Sequence, residues 1–565
     1  MLEELPLEIF EMIVCFLFLD ELSNLCLVSK DLFEKMRLIK YNKPIFIMEK
    51  KNVNSKLVLK EEEQDCLKQS YNLDLGEIID LSQYKLDTSK FSWLNLFEIN
   101  DIPTCSFKVI TDNDKPFNKL LPINHLQINM DSNFDDNVFD YIGHLDLSNN
   151  DNKIPINQIY DFNNIKLLTI HRINMDTLTH VVEKCKNTET IIIVNSKDLN
   201  YDELNKLENL KSLRFVNCKS DNEYYFDNID KLSFAYSDDV KLSSILTLSN
   251  LKELSFDCMH YNELVVFNFH LLTQLVYLKL SSIVLNIKSE YITYPINLSS
   301  LKGIEGLKKL DLSSIEAKFD DISMLNNLEE LNMNNLSSLL SINFLGTLNK
   351  LKSLSIVSCK VEDASILSKL TNLETLNISN NKILDINFLK KLTNLKELNI
   401  SNNHRNNNKL CIRDSCIKKL SKLEILYANN ICSNFNLSIL KSIKHLSLLD
   451  SIIYNNGFVS ESLLSFIVNI NFTEVLSKDL PNLKTITVIG LEDINKLELL
   501  DKVETIIIRK TKIQTFDKIK CSDSLKMIDV SYTNITLTEQ IKELYRKDDV
   551  KIYYFNEETG LKEFI

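Results

Sequence analysis

The chain has 565 residues, of which 44% are hydrophobic and 25% are charged, so it contains enough apolar material for a large core. Its 65 lysine and arginine residues and 78 aspartate and glutamate residues give a formal net charge of −13, with no long basic run. Nucleic acids and anionic membranes are therefore poor candidates as partners, because binding them requires clustered cationic side chains.

The first 43 residues have the pattern of three short helices. Pro6 suits the first turn of a helix, and Asp20 and Ser29 are suitable N-caps for the second and third helices. One apolar stripe of the first helix consists of Ile9, Met12, Ile13, Phe16 and Leu17. So many large apolar side chains in fewer than forty residues predict an exposed surface that needs a partner.

These residues resemble an F-box. The matching positions are Leu5-Pro6-x-Glu8-Ile9, Ile13, Phe16-Leu17, Leu22, Val28-Ser29-Lys30 and Phe33. The resemblance implies docking onto the Skp adaptor of SCF-type cullin–RING ubiquitin ligases, and through that adaptor onto a cullin. The adaptor-binding residues that it implies are Leu5, Pro6, Ile9, Leu22, Leu25, Val28 and Phe33. Phe33 stands where the family usually has tryptophan, which keeps an aromatic anchor. The alternative is an ordinary helical cap on the repeats that follow.

Residues 44–120 are predicted to be a linker with degenerate first repeats. Pro44 should end the helical segment. The segment from Lys56 to Gln69 is typical of a solvated helix or linker, and Phe91-x-x-Leu94-x-Leu96 matches a worn repeat.

From residue 121 to residue 550 the sequence repeats itself. The clearest copies begin at Leu351, Leu373 and Leu395, which are 22 residues apart, and each reads Leu-x-x-Leu-x-Ile-x-x-Asn/Cys. Further copies begin at Ile142, Ile165, Thr188, Leu210, Ile229, Leu251, Leu275, Leu307, Leu328, Leu423, Ile443, Leu483, Val503 and Leu525. The interval from Ile443 to Leu483 is long enough to contain one degenerate repeat near residues 458–468.

This is the signature of a leucine-rich repeat, and it predicts an α/β solenoid: a curved horseshoe with a parallel sheet on its concave side. Residues four and six of each repeat should point into the core, and the asparagine or cysteine at position nine should cap backbone groups. The short return segments resemble those of internalins, so we expect 3₁₀ or short helical turns on the convex side. Residues 551–565 should form a final strand and cap.

No catalytic or metal-binding motif is present in the sequence. The 8 glycines form neither a P-loop nor a G-x-G-x-x-G, and no H-E-x-x-H or C-x-x-C occurs. His144 and Asp146 share a strand face, with His125 one strand away, but exposed polar residues are usual there. We therefore predict that the chain is not an enzyme and has no cofactor or metal.

Exposed positions three, five and seven of the repeats change character along the chain. They are polar in the repeats that begin at Leu328, Leu373 and Leu395, and become apolar, aromatic and cationic towards the C-terminus. This composition predicts a protein-binding hot spot formed by Tyr427, His445, Leu449, Ile489, Ile507 and Arg509. The alternative is that these residues are core positions of degenerate repeats.

The sequence thus favours a substrate-recognition subunit of an SCF-type ubiquitin ligase, with an F-box at residues 1–43 and the repeats binding a target protein. The alternative is a leucine-rich-repeat scaffold or inhibitor with no ligase link. A secreted adhesin of internalin type is disfavoured, because Glu3, Glu4 and Glu8 stand where a signal peptide has basic residues. Twelve scattered cysteines also suit a reducing compartment, so we expect the cytoplasm or nucleus, or the host cytoplasm if the protein is viral.

Overall fold

A computed structural model describes residues 165–564 with short gaps, together with the backbone of five strands nearer the N-terminus. The gaps are residues 173–174, 198–200, 220–224, 227, 239, 262–267, 288–289, 294, 338, 340, 406–407, 435, 454–458, 470–479, 491–501, 512, 514–523, 531–532, 534, 536, 539–541, 544, 546–549 and 557–560. The chain divides into unit 1, Met1–Val266 with Val284–Ile292, and unit 2, Phe267–Ile283 with Thr293–Ile565. The seven predicted adaptor-binding residues, the helix or linker at 56–69 and the worn repeat at 91–96 lie outside the described residues.

The described strands of unit 1 form a parallel sheet. They are Ile45–Glu49, Ile78–Asp80, Phe107–Thr111, His125–Asn129, His144–Ser148, Leu167–His171, Thr190–Val194, Ser212–Val216, Lys231–Ala235 and Glu253–Asp257. From the third strand onwards, each strand pairs with the next one in the chain. Ile45–Glu49 instead lies between the second and third strands, with Phe46 opposite Ile78 and Ile45 opposite Phe107. The segment predicted to be a linker with degenerate repeats thus contributes three strands.

Unit 2 also contains a parallel sheet, which ends in an antiparallel pair. Its strands are Tyr277–Ser281, Lys309–Asp311, Glu330–Asn332, Ser353–Ser355, Thr375–Asn377, Glu397–Asn399, Ile425–Tyr427, His445–Ser447, Ser465–Asn469, Thr485–Ile489, Thr505–Arg509, Met527–Asp529, Lys551–Asn556 and Leu561–Phe564. Ser465–Asn469 belongs to the degenerate repeat suspected between Ile443 and Leu483, and it buries Phe466 and Val468.

The strand side of the core is formed by the first, fourth and sixth residues of each repeat, and apolar residues of the return segments, such as Leu389 and Leu392, complete it. In the repeat that begins at Leu373, the side chains of Leu373, Leu376 and Ile378 are all buried. Strand residues alternate between the two faces of a sheet, so the intervening side chains face the other way. The parallel strands stack the buried positions of successive repeats directly on one another, as in the series Leu354, Leu376 and Leu398.

The segments that return from one strand to the next are mostly short 3₁₀ turns, as the repeat pattern predicts. These turns are Tyr201–Lys206, Phe269–Leu271, Leu298–Leu301, Phe319–Met324, Asn343–Thr347, Ser365–Lys369, Asn387–Lys391 and Leu437–Ile439. The described α-helices are Met175–Lys184, Leu242–Ile245 and Asp414–Ile417. None of the helices in the described part of the chain is long and apolar enough to cross a membrane.

Small strands accompany the returns. They are His260–Tyr261, Val284–Ile287 and Glu290–Thr293 in one sheet, Pro295–Ile296 with Glu316–Ala317, His404–Arg405 with Asn408–Lys409, and Cys411–Arg413 with Cys432–Asn434 and Ile452–Ile453. The antiparallel pair at 404–409 lies in the polar insertion between Leu395 and Leu423.

Position nine caps backbone groups in both units. Asn381 is buried, and its Oδ1 accepts hydrogen bonds from the amides of Cys359 and Val361 at 3.0 and 3.1 Å. Its Nδ2 donates to the carbonyl of Ile356 at 2.6 Å. At the same position the Sγ of Cys218 donates to the carbonyl of Ile193 at 3.3 Å. The predicted capping role is therefore present, and either an amide or a thiol side chain can fill it.

An alternating ladder of charged side chains runs along the side of each sheet. It occupies position two of the repeats, which is basic and acidic in turn. In unit 1 these residues are Lys166, Glu189, Lys211, Asp230 and Lys252. In unit 2 they are Lys308, Glu329, Lys352, Glu374, Lys396, Glu424 and Lys444, and, after Leu464, Lys484, Glu504 and Lys526. Nζ–Oε distances include 2.6 Å for Lys352–Glu329 and for Lys396–Glu374, and 2.8 Å for Lys526–Glu504.

This ladder makes stability depend on pH in the acidic range. A hydrogen bond from Lys352 holds the pKa of Glu329 below its ordinary value, and Lys396 and Lys526 do the same for the pKa values of Glu374 and Glu504. A lowered folded-state pKa stabilises the protein above the unfolded pKa of glutamate, about 4.3. That stabilisation is lost as the pH falls through the folded pKa values.

We therefore expect the urea midpoint of the native chain to fall more steeply below about pH 4.3 than that of a variant in which Glu329, Glu374, Glu424 and Glu504 are all glutamine. Urea unfolding between pH 7 and pH 3 measures this difference. The two curves should run parallel between pH 6 and pH 7, where all these glutamates are ionised. Equal slopes below pH 4 would show that the ladder does not stabilise the fold.

Candidate functional site

The solvent-facing side of the sheet in unit 2 is formed by positions three, five and seven of the repeats. We call this side the open face and its three lines of residues row 3, row 5 and row 7. Register between strands fixes which residues are neighbours within a row. Row 5 runs Asn377, Asn399, Tyr427, Ser447, Ile467, Thr487, Ile507, Asp529 and Tyr553.

From strand Lys309–Asp311 to strand Glu397–Asn399 the open face is polar except for the half-buried Val357 in row 7. Its side chains bond to one another and to the backbone. Asn377 Oδ1 accepts from the amide and the hydroxyl of Ser379 at 3.1 and 2.8 Å. Asn334 Oδ1 accepts from the Ser355 hydroxyl at 2.9 Å. These hydrogen bonds stabilise the ends of the strands.

All six residues predicted to bind a target lie on the open face of the C-terminal section. Tyr427 and Ile507 are in row 5, whereas Leu449, Ile489 and Arg509 are in row 7. His445 is in row 3 and is exposed, and the other five side chains are half-buried.

The alternative interpretation, that these are core residues, is wrong. The core is filled instead by their chain neighbours, which include Leu426, Leu448, Val488 and Ile506. A side chain cannot share the core with the residue next to it in a strand, because consecutive residues point to opposite faces.

Four further apolar residues share this section and were not predicted. They are Ile425, Ile467, Met527 and Tyr553, all half-buried. Ile467 was not predicted because its repeat is degenerate. The sequence Leu463-x-x-Phe466-x-Val468 nevertheless matches the repeat pattern. Ile425 and Met527 fall at position three of their repeats, and the same position count would have found them. Tyr553 follows the last repeat and joins row 5 by pairing with Asp529.

Arg509 is held by its neighbour instead of extending freely into solvent. Its Nη2 lies 3.0 Å from Asp529 Oδ2, and its Nη1 lies 3.2 Å from Asp529 Oδ1. Nη1 also donates to the carbonyls of Ile508 and Asp529 at 3.0 and 3.1 Å. Such a bidentate pair fixes the guanidinium in one geometry. A partner would therefore meet an arginine that is already paired.

Other polar groups beside the apolar residues are also paired. Asn429 Oδ1 accepts from the Ser447 hydroxyl at 2.7 Å and from the Leu449 amide at 2.8 Å. Asn469 Nδ2 donates to Asp450 Oδ1 at 2.6 Å. Covering the apolar side chains thus leaves these hydrogen bonds in place, which lowers the desolvation cost of binding.

The described residues contain no group of three or more His, Cys, Asp or Glu side chains able to hold a metal ion. Near the N-terminus the backbone places His125 opposite His144, and Gln127 opposite Asp146. Covalent chemistry needs a nucleophile or base beside a convergent polar pocket. The open face of unit 2 presents paired polar groups and apolar side chains, an arrangement that suits binding.

A comparison with protein families supports the repeat assignment for part of the chain. Residues 349–391 match the family described as leucine-rich repeats, two copies. No curated protein matches the sequence of this chain.

Solved structures that resemble the chain include other repeat proteins. An internalin from Listeria monocytogenes is 20% identical, with 57% of this chain and 88% of that chain covered and a TM-score of 0.40. A leucine-rich-repeat protein from Leptospira interrogans is 20% identical, with 64% and 89% covered and a TM-score of 0.46. The family match and the repeated strand geometry show that this chain contains leucine-rich repeats.

Proposed function

We propose that this protein is a non-catalytic scaffold that binds a protein target on the open face of unit 2, in its C-terminal section. One observation carries the proposal: half-buried apolar side chains continue across successive repeats there, whereas Val357 alone is apolar among the described residues of rows 3, 5 and 7 from Lys309 to Ser401. Contiguous exposed apolar surface marks interaction sites in soluble proteins. Tyrosine and arginine, both present in this section as Tyr427 and Arg509, are also enriched in binding hot spots.

Replacing Tyr427 and Ile507 together by serine should reduce capture of the target at least ten-fold. Both side chains lie in row 5 and lose their apolar contact area, whereas the buried leucines and isoleucines beneath them are unchanged. The measurement is quantitative mass spectrometry of proteins retained by the immobilised native chain and by the variant.

The matched control replaces Thr375 by serine and Glu397 by glutamine in the polar section of the same face. This control should retain the same proteins as the native chain. The proposal fails if every retained protein is recovered equally from the native chain and the Tyr427/Ile507 variant.

We further propose that the scaffold is the substrate receptor of an SCF-type ubiquitin ligase. The support for this link is the F-box-like pattern of residues 5–33, read from the sequence. In that role the first residues would bind a Skp-type adaptor while unit 2 binds the target. The target's lysines would then be held at high effective concentration near the ubiquitin-loaded enzyme. No residue of this chain would take part in covalent chemistry.

Changing Leu5 and Leu22 to aspartate should abolish binding of a purified Skp-type adaptor, because each change puts a charge into an apolar interface. We expect a loss in affinity of at least a hundred-fold by isothermal titration calorimetry. Glu4→Gln is the control and should bind as the native chain does. Failure of the native chain to bind the adaptor would remove the ligase role and leave the scaffold role intact.

A further inference from the structure

A zigzag of apolar side chains crosses five neighbouring strands on the open face of unit 2. We call it the stripe, and it consists of Tyr427, Leu449, Ile467, Ile489 and Ile507. Each strand contributes one member, and successive members alternate between row 5 and row 7. Every member is half-buried.

In each of these repeats, the position in row 5 or row 7 that is not apolar is polar. Where row 7 carries the apolar residue, row 5 carries Ser447 or Thr487. Where row 5 carries it, row 7 carries a polar side chain, which is Asn429, Asn469 or Arg509 in the three strands concerned. Within rows 5 and 7 the apolar surface is thus a narrow, regularly offset track, with Ile425 of row 3 adjoining its first member, and it exists only because the strands pair in this register.

The dimensions of the stripe match one face of an amphipathic helix. Adjacent strands are about 4.8 Å apart, so the stripe advances about 4.8 Å for each apolar side chain and shifts sideways each time. In a helix with apolar residues at heptad positions a and d, the mean spacing is 3.5 residues of about 1.5 Å, or about 5.3 Å, also with alternating sides. Over five side chains the two lengths are about 19 Å and about 21 Å.

An extended peptide fits the stripe poorly. Its side chains on one face recur every two residues, at about 6.8 Å, and they lie in a straight line. The side chains of an extended peptide that crosses the strands would therefore not stay aligned with the apolar members of the stripe, and some of them would face polar residues.

The residues beside the stripe indicate which side chains a bound partner should carry next to its apolar residues. The row 3 residues beside its centre are Ser465, Thr485 and Thr505, which are uncharged. The polar residues within rows 5 and 7 include the paired groups Ser447–Asn429, Asn469–Asp450 and Arg509–Asp529. Row 3 therefore carries no charge near the centre of the stripe that a partner would have to compensate. A partner whose flank is polar but uncharged complements this surface.

We propose that the stripe binds an amphipathic α-helix of the target, laid across the strands, with apolar residues at heptad spacing and an uncharged polar flank. This inference rests on the proposed scaffold function and specifies its partner. The helix needs about fifteen residues to contact all five members of the stripe.

A pair of synthetic peptides tests the helix directly. The first is a capped peptide of about 18 residues with leucine at every a and d position and alanine, glutamine and serine elsewhere. The second contains the same residues rearranged so that its leucines alternate with polar residues. In fluorescence anisotropy with the full chain, the heptad peptide should bind at least ten-fold more tightly. Equal binding of the two peptides, or no binding of the heptad peptide, overturns the inference.

Substitutions in the chain test whether the peptide binds at the stripe. Ile467→Ser with Ile507→Ser should weaken binding of the heptad peptide at least ten-fold. The matched control, Ser353→Thr with Thr375→Ser, changes row 3 of two strands in the polar section of the open face and should leave binding unchanged. Circular dichroism and the urea midpoint verify that each variant is folded. Equal binding to the native chain and the Ile467/Ile507 variant would also overturn the inference.

Failure of this inference and failure of the scaffold function give different results. If protein capture depends on Tyr427 and Ile507 but the heptad peptide does not bind, the helix is wrong and the scaffold function stands. If neither capture nor the peptide depends on the stripe residues, both are wrong.

Discussion

Replacing Phe234 by alanine should lower the free energy of unfolding of unit 1 by about 3–5 kcal/mol, the usual cost of removing a buried phenylalanine ring. Phe234 is 0% exposed and lies between two other rings at position six of neighbouring repeats. Its ring centroid is 5.0 Å from that of Phe215 and 5.6 Å from that of Phe256, at interplanar angles of 14° and 11°. Tyr201 meets the far side of Phe215 edge-on at 4.8 Å.

The loss should be large because the column spans three repeats. Alanine at 234 removes the middle ring, and the parallel strands hold the outer two rings in place, so the cavity cannot close easily. Phe234→Leu should cost less, since leucine fills part of the volume. Urea unfolding measures the loss, and hydrogen exchange in residues 201–257 locates it.

The control for this change is Ser233→Ala. Ser233 adjoins Phe234 in the chain and is half-buried on the other face of the sheet. The Ser233→Ala substitution should change the unfolding free energy by less than about 0.5 kcal/mol, as surface substitutions usually do. A loss below about 1 kcal/mol for Phe234→Ala would contradict the column as a stabilising feature.

Replacing Asn381 by leucine should lower the free energy of unfolding of unit 2 by roughly 3 kcal/mol or more. The buried amide accepts hydrogen bonds from two backbone N–H groups and donates to the carbonyls of Ile356, Ile378 and Ser379. Leucine has a similar size but satisfies none of these groups, and each buried group left unpaired costs about 1–3 kcal/mol.

Cysteine at the same position should be tolerated better than leucine. The native Cys359 occupies position nine one repeat earlier, and its Sγ donates to the carbonyl of Met333 at 2.9 Å and accepts from the amide of Leu336 at 3.4 Å. Urea unfolding should therefore rank the chains as native, Asn381→Cys and Asn381→Leu in order of falling stability. Equal stability of the two variants would show that volume alone matters at position nine.

Much of this fold follows from the order of residues within one repeat. The alternation of Leu376 and Ile378 with polar residues predicts a strand with one buried face, and the short interval to Leu395 predicts a tight return. Asn381 and Asn403 were assigned as caps from their position alone, and both are buried with their amides bonded to the backbone. Such features depend on residues near each other in the chain, so they can be predicted from the sequence without the structure.

Other features depend on which residues of different repeats become neighbours. The charge ladder and the stripe join residues about twenty positions apart, such as Lys352 with Glu329 and Ile489 with Ile507. One left-handed residue follows the strand in most described repeats, including Asn380 and Asn402, whose amides donate to Ser401 and Asn429 carbonyls. The repeat pattern did not predict it, because the position is also filled by Arg172, Tyr236 and Ser358.

The sequence by itself determined the repeat, its buried positions, its capping asparagines and the chain segments that carry apolar residues on the open face. The tertiary structure decided how those segments combine. It placed Ile45–Glu49 between two strands that follow it in the chain, and it bound Arg509 to Asp529. It also aligned five apolar side chains into the stripe. The physical reason is that the period of each strand is local, whereas the register between strands is set by the packing of whole repeats.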